Sequence, residues 1–196
     1  MAKQTLSQRS RASGTGTGEC ALSRRRIIFG ICAASLLPAP ALYAGDSMAG
    51  IRRLRMTNQR TGEILDMVYW IEGEYIEEAL AAVNYFMRDW RADEMMPMHT
   101  ANLDNLAATH LLLESSEPFE LVSGFRTRAT NDVLAGRSEQ VASNSLHVRG
   151  MAADIRLRGR SVAKIAAAAR ACGAGGVGGY RGLNFVHIDC GRRRSW

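Results

Sequence analysis

Cysteine is scarce in this sequence, and its four residues are poorly placed for metal binding. Cys20 and Cys32 lie within the first 44 residues, which leaves only Cys172 and Cys190 in the rest of the chain. Neither of these two has a partner at C-x-x-C spacing, which argues against a cysteine zinc motif. An exported pair can form a disulfide, and two buried free thiols are the alternative. The sequence leaves both states of the pair open.

An excess of one charge is also missing from most of the chain. The formal net charge is +6, but residues 1–44 hold six basic residues and one acidic residue. Residues 45–196 therefore carry 19 basic and 18 acidic residues, a nearly even balance. This balance excludes a strongly basic nucleic-acid-binding surface. Internal repeats are absent as well, and 46% hydrophobic residues suffice for one domain with a core.

The start of the chain has the pattern of an export signal. A stretch rich in small polar residues precedes three arginines at 24–26, and an apolar run follows. This order is typical of a twin-arginine signal, with cleavage after Ala41 or Ala44. An uncleaved membrane anchor is the alternative, although two prolines interrupt a run that barely reaches the roughly 20 residues of a span. We predict an export signal with a disordered extension over 1–44 and a periplasmic domain over 45–196.

The rest of the chain mixes strand-like and helix-like patterns without further separable segments. Alternating or continuous apolar runs predict strands at Ile51–Leu54, Met67–Ile71, Phe119–Phe125, Met151–Leu157 and Phe185–Asp189. Apolar residues at three- and four-residue steps, together with N-cap residues, predict helices at Glu74–Arg91, Leu103–Leu113, Thr130–Ala135 and Ser161–Ala171. The glycine-rich stretch Val177–Tyr180 is predicted to be a turn.

Two short motifs offer ligands of the kind that catalytic zinc requires. His147 and Asp154 stand in an H-x-x-G-x-x-x-D pattern, and His187 stands near the C-terminus. Catalytic zinc takes three N/O ligands and keeps one position open for water. We therefore predict that these three residues bind one Zn²⁺ ion, with Gly150 allowing a tight turn between the first two. The alternative is two unrelated histidines and a buried ion pair of Asp154 with Arg156, because the spacing alone is a weak motif.

Two further residues are candidates for catalysis beside the metal. Asp189 is two residues from His187 in a predicted strand, so both side chains project from the same face. It could touch the metal-bound water, whose pKa a metal lowers to about 7, or orient a ligand. Arg126 follows the predicted strand that ends at Phe125. Its guanidinium could stabilise a developing oxyanion or hold a substrate carboxylate.

Three motifs together resemble the zinc D-Ala-D-Ala carboxypeptidase family, and most closely its periplasmic murein endopeptidase K branch. The motifs are Ser123-Gly-Phe-Arg-Thr127, Ser145-Leu-His-Val-Arg-Gly-Met-Ala-Ala-Asp154 and Phe185-Val-His-Ile-Asp-Cys-Gly191. The likeness covers about residues 50–196. It implies a small single α+β domain of the hedgehog type, in which an antiparallel sheet flanked by helices holds one zinc ion.

The resemblance also implies an activity and residue roles. It implies a murein endopeptidase that hydrolyses peptidoglycan crosslinks with metal-activated water, with ligands at His147, Asp154 and His187. Arg126 would bind substrate or the oxyanion, and Ser145 would line the site. The partners would be peptidoglycan stem peptides, with no nucleic acid and with membrane contact only during export. A D,D-carboxypeptidase and a non-catalytic zinc-containing peptidoglycan-binding domain are the alternatives.

One departure from the family concerns the general base. Carboxypeptidase members have a His two residues, or a Glu three residues, before the last ligand, whereas this chain has Phe185 and Asn184 there. Neither side chain can accept a proton from water. We predict that Asp189 replaces them, with Glu139 or His99 as alternatives, because a general base must lie within hydrogen-bond reach of the water or one molecule away.

Overall fold

Eight strands and four α-helices are formed by residues 50–196, the part of the chain that the computed structural model describes. The predicted export signal and its cleavage sites lie outside these residues. The strands are β1 Ile51–Asn58, β2 Glu63–Ile71, β3 Glu74–Tyr75, β4 Phe119–Ser123, β5 Ala152–Leu157, β6 Gly176–Tyr180, β7 Phe185–Asp189 and β8 Arg194–Ser195. The helices are α1 Glu77–Phe86, α2 Thr100–Leu112, α3 Arg128–Ala135 and α4 Val162–Ala171, with 3-10 turns at Leu146–Arg149 and Arg181–Leu183.

The strands form one sheet in the order β3-β2-β1-β4-β5-β7-β6-β8. Five neighbouring pairs are antiparallel, whereas β1 with β4 and β6 with β8 are parallel. The predicted α+β class is confirmed, and the expected antiparallel sheet is present with two parallel pairs added. Parallel neighbours need a crossover connection between them. Helices α1 and α2 lie in the connection from β1 to β4, and strand β7 lies in the connection from β6 to β8.

The hydrophobic core lies on the face of the sheet that the helices cover. Helices α2 and α4 pack on each other and on the strands, and α1 packs on β2. In β5 the core side chains are Ala153, Ile155 and Leu157, and in β7 they are Val186 and Ile188. Because side chains alternate across a strand, the intervening residues of both strands point away from this core. The predicted face assignment of β5 is therefore confirmed.

The predicted helix Glu74–Arg91 is shorter at both ends. Glu72 and Gly73 adopt positive φ angles, so that the next two residues turn back and pair with β2. At the other end the carbonyl of Met87 accepts a hydrogen bond from the backbone N–H of Phe125 at 2.8 Å, which draws the chain out of the helix. Both ends of the helix are thus set by tertiary contacts, which the periodicity of apolar residues in the sequence cannot predict.

The glycine-rich stretch predicted as a turn is instead strand β6. Gly178 leaves room for the Trp196 side chain, since a Cβ placed there would lie 2.4 Å from the indole ring. The N–H of Gly179 donates to the Trp196 carbonyl at 3.0 Å. The C-terminal residues thus lie along β6 as β8, a long-range pairing that local turn propensity cannot predict.

Other local predictions are close to the observed elements. Ser161 caps α4 by accepting from the Lys164 N–H, as expected. Helix α2 begins three residues earlier than predicted, with His99 at its N-cap in place of Asn102. Cys172 and Cys190 are both free thiols and partly buried. Within residues 50–196, no helix is long and apolar enough to cross a membrane.

Candidate metal centre and active-site groove

Strands β5 and β7 bring two of the predicted ligands directly opposite each other. Asp154 and His187 are cross-strand partners in the antiparallel ladder, on the face that points away from the core. The Asp154 Oδ1 lies 2.9 Å from the His187 Nδ1. Side chains directly opposite on one face of a sheet are close neighbours, so the pairing register alone joins these two motifs.

His147 reaches the same point from the 3-10 turn before β5. Ser145 caps this turn by accepting from the His147 backbone N–H at 3.3 Å. Gly150 ends it in the left-handed conformation with φ 64°, and a Cβ there would lie 2.5 Å from the Pro97 carbonyl. The predicted tight turn at Gly150 is therefore present. The His147 Nε2 lies 3.2 Å from the Asp154 Oδ1 and 3.2 Å from the His187 Nδ1.

Hydrogen bonds at the far ring nitrogens define what the two imidazoles offer to the cluster. The His147 Nδ1–H donates to the Gly124 carbonyl at 2.7 Å, which leaves a lone pair on Nε2. The His187 Nε2–H donates to Asp189 at 3.0 Å, which leaves a lone pair on Nδ1. Two lone pairs and a carboxylate oxygen therefore converge, and the three atoms lie within 4.8 Å of one another. This donor set fits a metal ion.

The electrostatics of the cluster favour a positive charge at its centre. Burial opposes ionisation of Asp154, but contacts with His147 and His187 lower its pKa below the ordinary value. Burial would also lower the pKa of His187, but hydrogen bonds to Asp154 and Asp189 outweigh it and raise the pKa to about 9. Burial lowers the pKa of His147.

Arg126 lies against the cluster and is almost wholly buried. Its Nη2 donates to the second carboxylate oxygen of Asp154 at 3.1 Å, and its Nε donates to Ser123 at 3.0 Å. A longer contact of 3.4 Å joins its Nη1 to the side-chain oxygen of Asn131. All three nitrogens of the guanidinium are thus engaged within the protein. The alternative pairing of Asp154 with Arg156 is wrong, because Arg156 pairs with Glu120 on the same sheet face at 3.0 Å.

Asp189 lies beside His187, as expected from the sequence, on the side of the ring that faces away from the other two ligands. Its side chain is fully buried and contacts the ring nitrogen of His187 that faces away from Asp154 and His147. Arg194 donates to both of its oxygens, at 2.7 and 3.2 Å, and the backbone N–H groups of Gly176 and Gly191 each donate at 2.8 Å. These donors lower its pKa despite burial. This geometry fits the predicted role of Asp189 in orienting a ligand, and its role as general base stays a prediction.

A groove of about 320 Å³ opens above the cluster. His147, Asp154, His187, Arg126 and Ser145 all line it. Neither alternative base lines it, since His99 is an exposed residue at the start of α2 and Glu139 is exposed in the loop after α3. Sequence reasoning missed several other lining residues, which are Arg91, Tyr180, Arg194 and Trp196. Arg194 and Trp196 reach the groove because β8 pairs with β6, so only that pairing could have indicated that they line it.

Comparisons with known proteins agree with this geometry. The family model described as peptidoglycan L,D-endopeptidase MepK matches residues 46–196. The chain is 39% identical to the peptidoglycan L,D-endopeptidase MepK of Escherichia coli K12 over 163 residues, which is 83% of this chain and 89% of that protein. It is 33% identical to the probable MepK of Haemophilus influenzae over 164 residues, which is 83% of this chain and 87% of that protein.

A more distant likeness is to the crystal structure of the Serratia marcescens L-Ala D-Glu endopeptidase ChiX. It has 24% sequence identity and a TM-score of 0.37, and it covers 57% of this chain and 86% of that one. The family model and the two sequence relatives confirm the predicted resemblance over the whole described domain. The chain therefore belongs to the peptidoglycan L,D-endopeptidase MepK family.

Proposed function

We propose that this chain is a zinc-dependent murein endopeptidase that hydrolyses peptide crosslinks of peptidoglycan. The observation that carries the proposal is the convergence of His147, Asp154 and His187, through two ring lone pairs and a carboxylate oxygen, at the floor of an open groove. The names of the MepK relatives supply the substrate class. We also propose that residues 1–44 direct export by the twin-arginine route and that residues 45–196 act in the periplasm.

Each residue of the centre has a proposed task. His147, Asp154 and His187 would hold one zinc ion. Bound zinc supplies a nucleophilic hydroxide near neutral pH and polarises the scissile carbonyl. Arg126 donates to the Asp154 carboxylate and holds it in place, and the field of its buried positive charge would stabilise the developing oxyanion without a direct hydrogen bond.

Two further side chains have supporting tasks. Asp189 accepts the Nε2–H of His187 and so would keep the Nδ1 lone pair directed at the metal, which supports a role as a positioning residue. Ser145 fixes the turn that carries His147 and lines the groove, where its hydroxyl can contact the substrate backbone.

The test is an incubation of the purified zinc-loaded protein with crosslinked muropeptide dimers, read by mass spectrometry with and without a chelator. We expect conversion of dimer to monomer that the chelator abolishes and that His147→Ala lacks. His99→Ala serves as the matched control, because it removes an exposed imidazole outside the groove lining. Conversion that persists in metal-free His147→Ala protein would contradict the proposal.

The same assay separates the two alternatives. Consumption of monomeric stem peptides, with dimers left intact, would indicate a D,D-carboxypeptidase. Sedimentation with sacculi but no released fragment, in a protein shown to hold zinc, would indicate a non-catalytic binding domain. The product masses from the dimers would name the bond that is cut.

A further inference from the structure

The lining of the groove carries more positive than negative charge. Three arginines line it, namely Arg91, Arg126 and Arg194, and among residues 50–196 Asp154 is the only acidic side chain in the lining. A metal ion at the cluster would add to the positive charge. A groove of this kind concentrates anionic ligands, because its walls focus the field of the cations that line it.

Two of these arginines are already committed to carboxylates of the protein. Arg126 donates to Asp154, Ser123 and Asn131 through its three guanidinium nitrogens. Arg194 donates to Asp189 through both terminal nitrogens. Neither guanidinium can turn toward a substrate without leaving a buried carboxylate short of a donor, which costs free energy.

Arg91 is held much less firmly. Its Nη1 lies 3.9 Å from Asp89, outside hydrogen-bond distance. Asp89 itself is satisfied by the backbone N–H of Arg91 and by the N–H and hydroxyl of Thr127. The Arg91 guanidinium rests over the Trp90 ring, 4.5 Å from its centroid, and 38% of its side chain is exposed. Its donors are therefore available in a fixed place.

The surroundings of Arg91 favour the arrival of an anion. Burial lowers the pKa of Arg91, Asp89 partly offsets this, and the positive charges of Arg126 and Arg60 lower it further. Arg91 also borders a second depression that runs along α3 and contains Arg137. A ligand that extends from the metal cluster toward α3 would thus pass Arg91.

We propose that Arg91 binds a free carboxylate of the substrate at the α3 end of the groove, and so selects stem peptides with an acidic residue near the scissile bond. The identification of the ligand as a stem peptide rests on the proposed function. The carboxylate itself follows from the charge of the groove and the free donors of Arg91. A guanidinium matches a carboxylate through two parallel hydrogen bonds.

The test compares two crosslinked muropeptide dimers, one with free diaminopimelate carboxylates and one with those carboxylates amidated. We expect the wild-type protein to prefer the acid form in kcat/KM by roughly tenfold to a hundredfold, the range for a hydrogen-bonded charge. Arg91→Gln should lower kcat/KM for the acid form by that factor and leave kcat/KM for the amidated form nearly unchanged. Arg158→Gln is the matched control, because Arg158 is exposed after β5 and does not line the groove.

Binding of the same two dimers in the presence of a chelator provides a second readout, followed by tryptophan fluorescence. The acid form should bind more tightly to the wild-type protein and lose this advantage in Arg91→Gln. A wild-type protein that hydrolyses neither dimer would contradict the proposed function, while the binding ratio would still test Arg91. An acid preference that survives in Arg91→Gln, or a wild-type protein without one, would overturn the role of Arg91.

Discussion

At the scale of single residues, His187 is held from both sides of its ring. One nitrogen faces Asp154 and the other donates to Asp189, which in turn receives Arg194 and two backbone N–H groups. This chain of contacts fixes the ring orientation and its tautomer. A metal-binding imidazole that is oriented in this way gains basicity at the nitrogen that faces the metal.

We predict that Asp189→Asn weakens zinc binding by about tenfold to a hundredfold, since the amide is a poorer acceptor for His187 and presents an N–H₂ group to the donors around it. The affinity is measured by competition with a chelating fluorophore. Glu120→Gln is the control, because Glu120 pairs with Arg156 and does not line the groove. Unchanged zinc affinity together with lost turnover would support the general-base role instead.

At the scale of elements, the end of strand β4 joins the metal centre to helix α1. The Gly124 carbonyl orients His147, and the next residue donates its N–H to the Met87 carbonyl. A Cβ on Gly124 would lie 2.4 Å from that carbonyl oxygen, which belongs to the backbone and cannot swing away. The close approach of the two segments therefore requires glycine.

Gly124→Ala should therefore lower the free energy of unfolding by about 1–3 kcal/mol and weaken zinc binding as His147 shifts. Urea unfolding of the metal-free protein and the fluorophore competition measure the two effects. Gly182→Ala is the control, because nothing lies within 4 Å of a Cβ at that position, and its effect should stay within about 0.5 kcal/mol. Equal unfolding midpoints for the two variants would refute the packing argument.

At the scale of the whole molecule, buried carboxylates link the stability of the fold to pH. Asp89 is 1% exposed, and it joins the segment after α1 to the start of α3 through Thr127. Burial opposes its ionisation, but hydrogen bonds from Thr130, Thr127 and the Arg91 N–H outweigh this and lower its pKa below 3.8. The ionised Asp89 carboxylate therefore stabilises the fold at pH values above the pKa that it has in the unfolded chain. This stabilisation is lost as the pH falls through the lower pKa that Asp89 has in the folded protein.

We predict that Asp89→Asn lowers the free energy of unfolding by about 2 kcal/mol at pH 6. The difference in this free energy between the variant and the wild-type protein should become smaller below pH 4. Urea unfolding across this pH range measures the difference. Asp93→Asn is the control, since the Asp93 side chain is 83% exposed, and it should show little difference at any pH. A gap between wild type and Asp89→Asn that stays constant or widens with acid would contradict the assignment.

The sequence by itself determined the chemistry of the centre and the elements that carry it. Spacing within a strand decides which side chains share a face, so the H-x-D motif already placed His187 and Asp189 together. The left-handed turn at Gly150 and the cap at Ser161 were also predictable, because both depend on residues a few positions apart. Local patterns suffice where the decisive contacts are local.

Only the tertiary structure decided what surrounds the centre. The C-terminal residues fold back along β6, which turns a glycine run into a strand and buries Asp189 under Arg194. Helix α1 stops short because Met87 pairs with Phe125, and this leaves Arg91 at the edge of the groove. Each of these outcomes depends on packing between segments far apart in the chain, which no local pattern encodes.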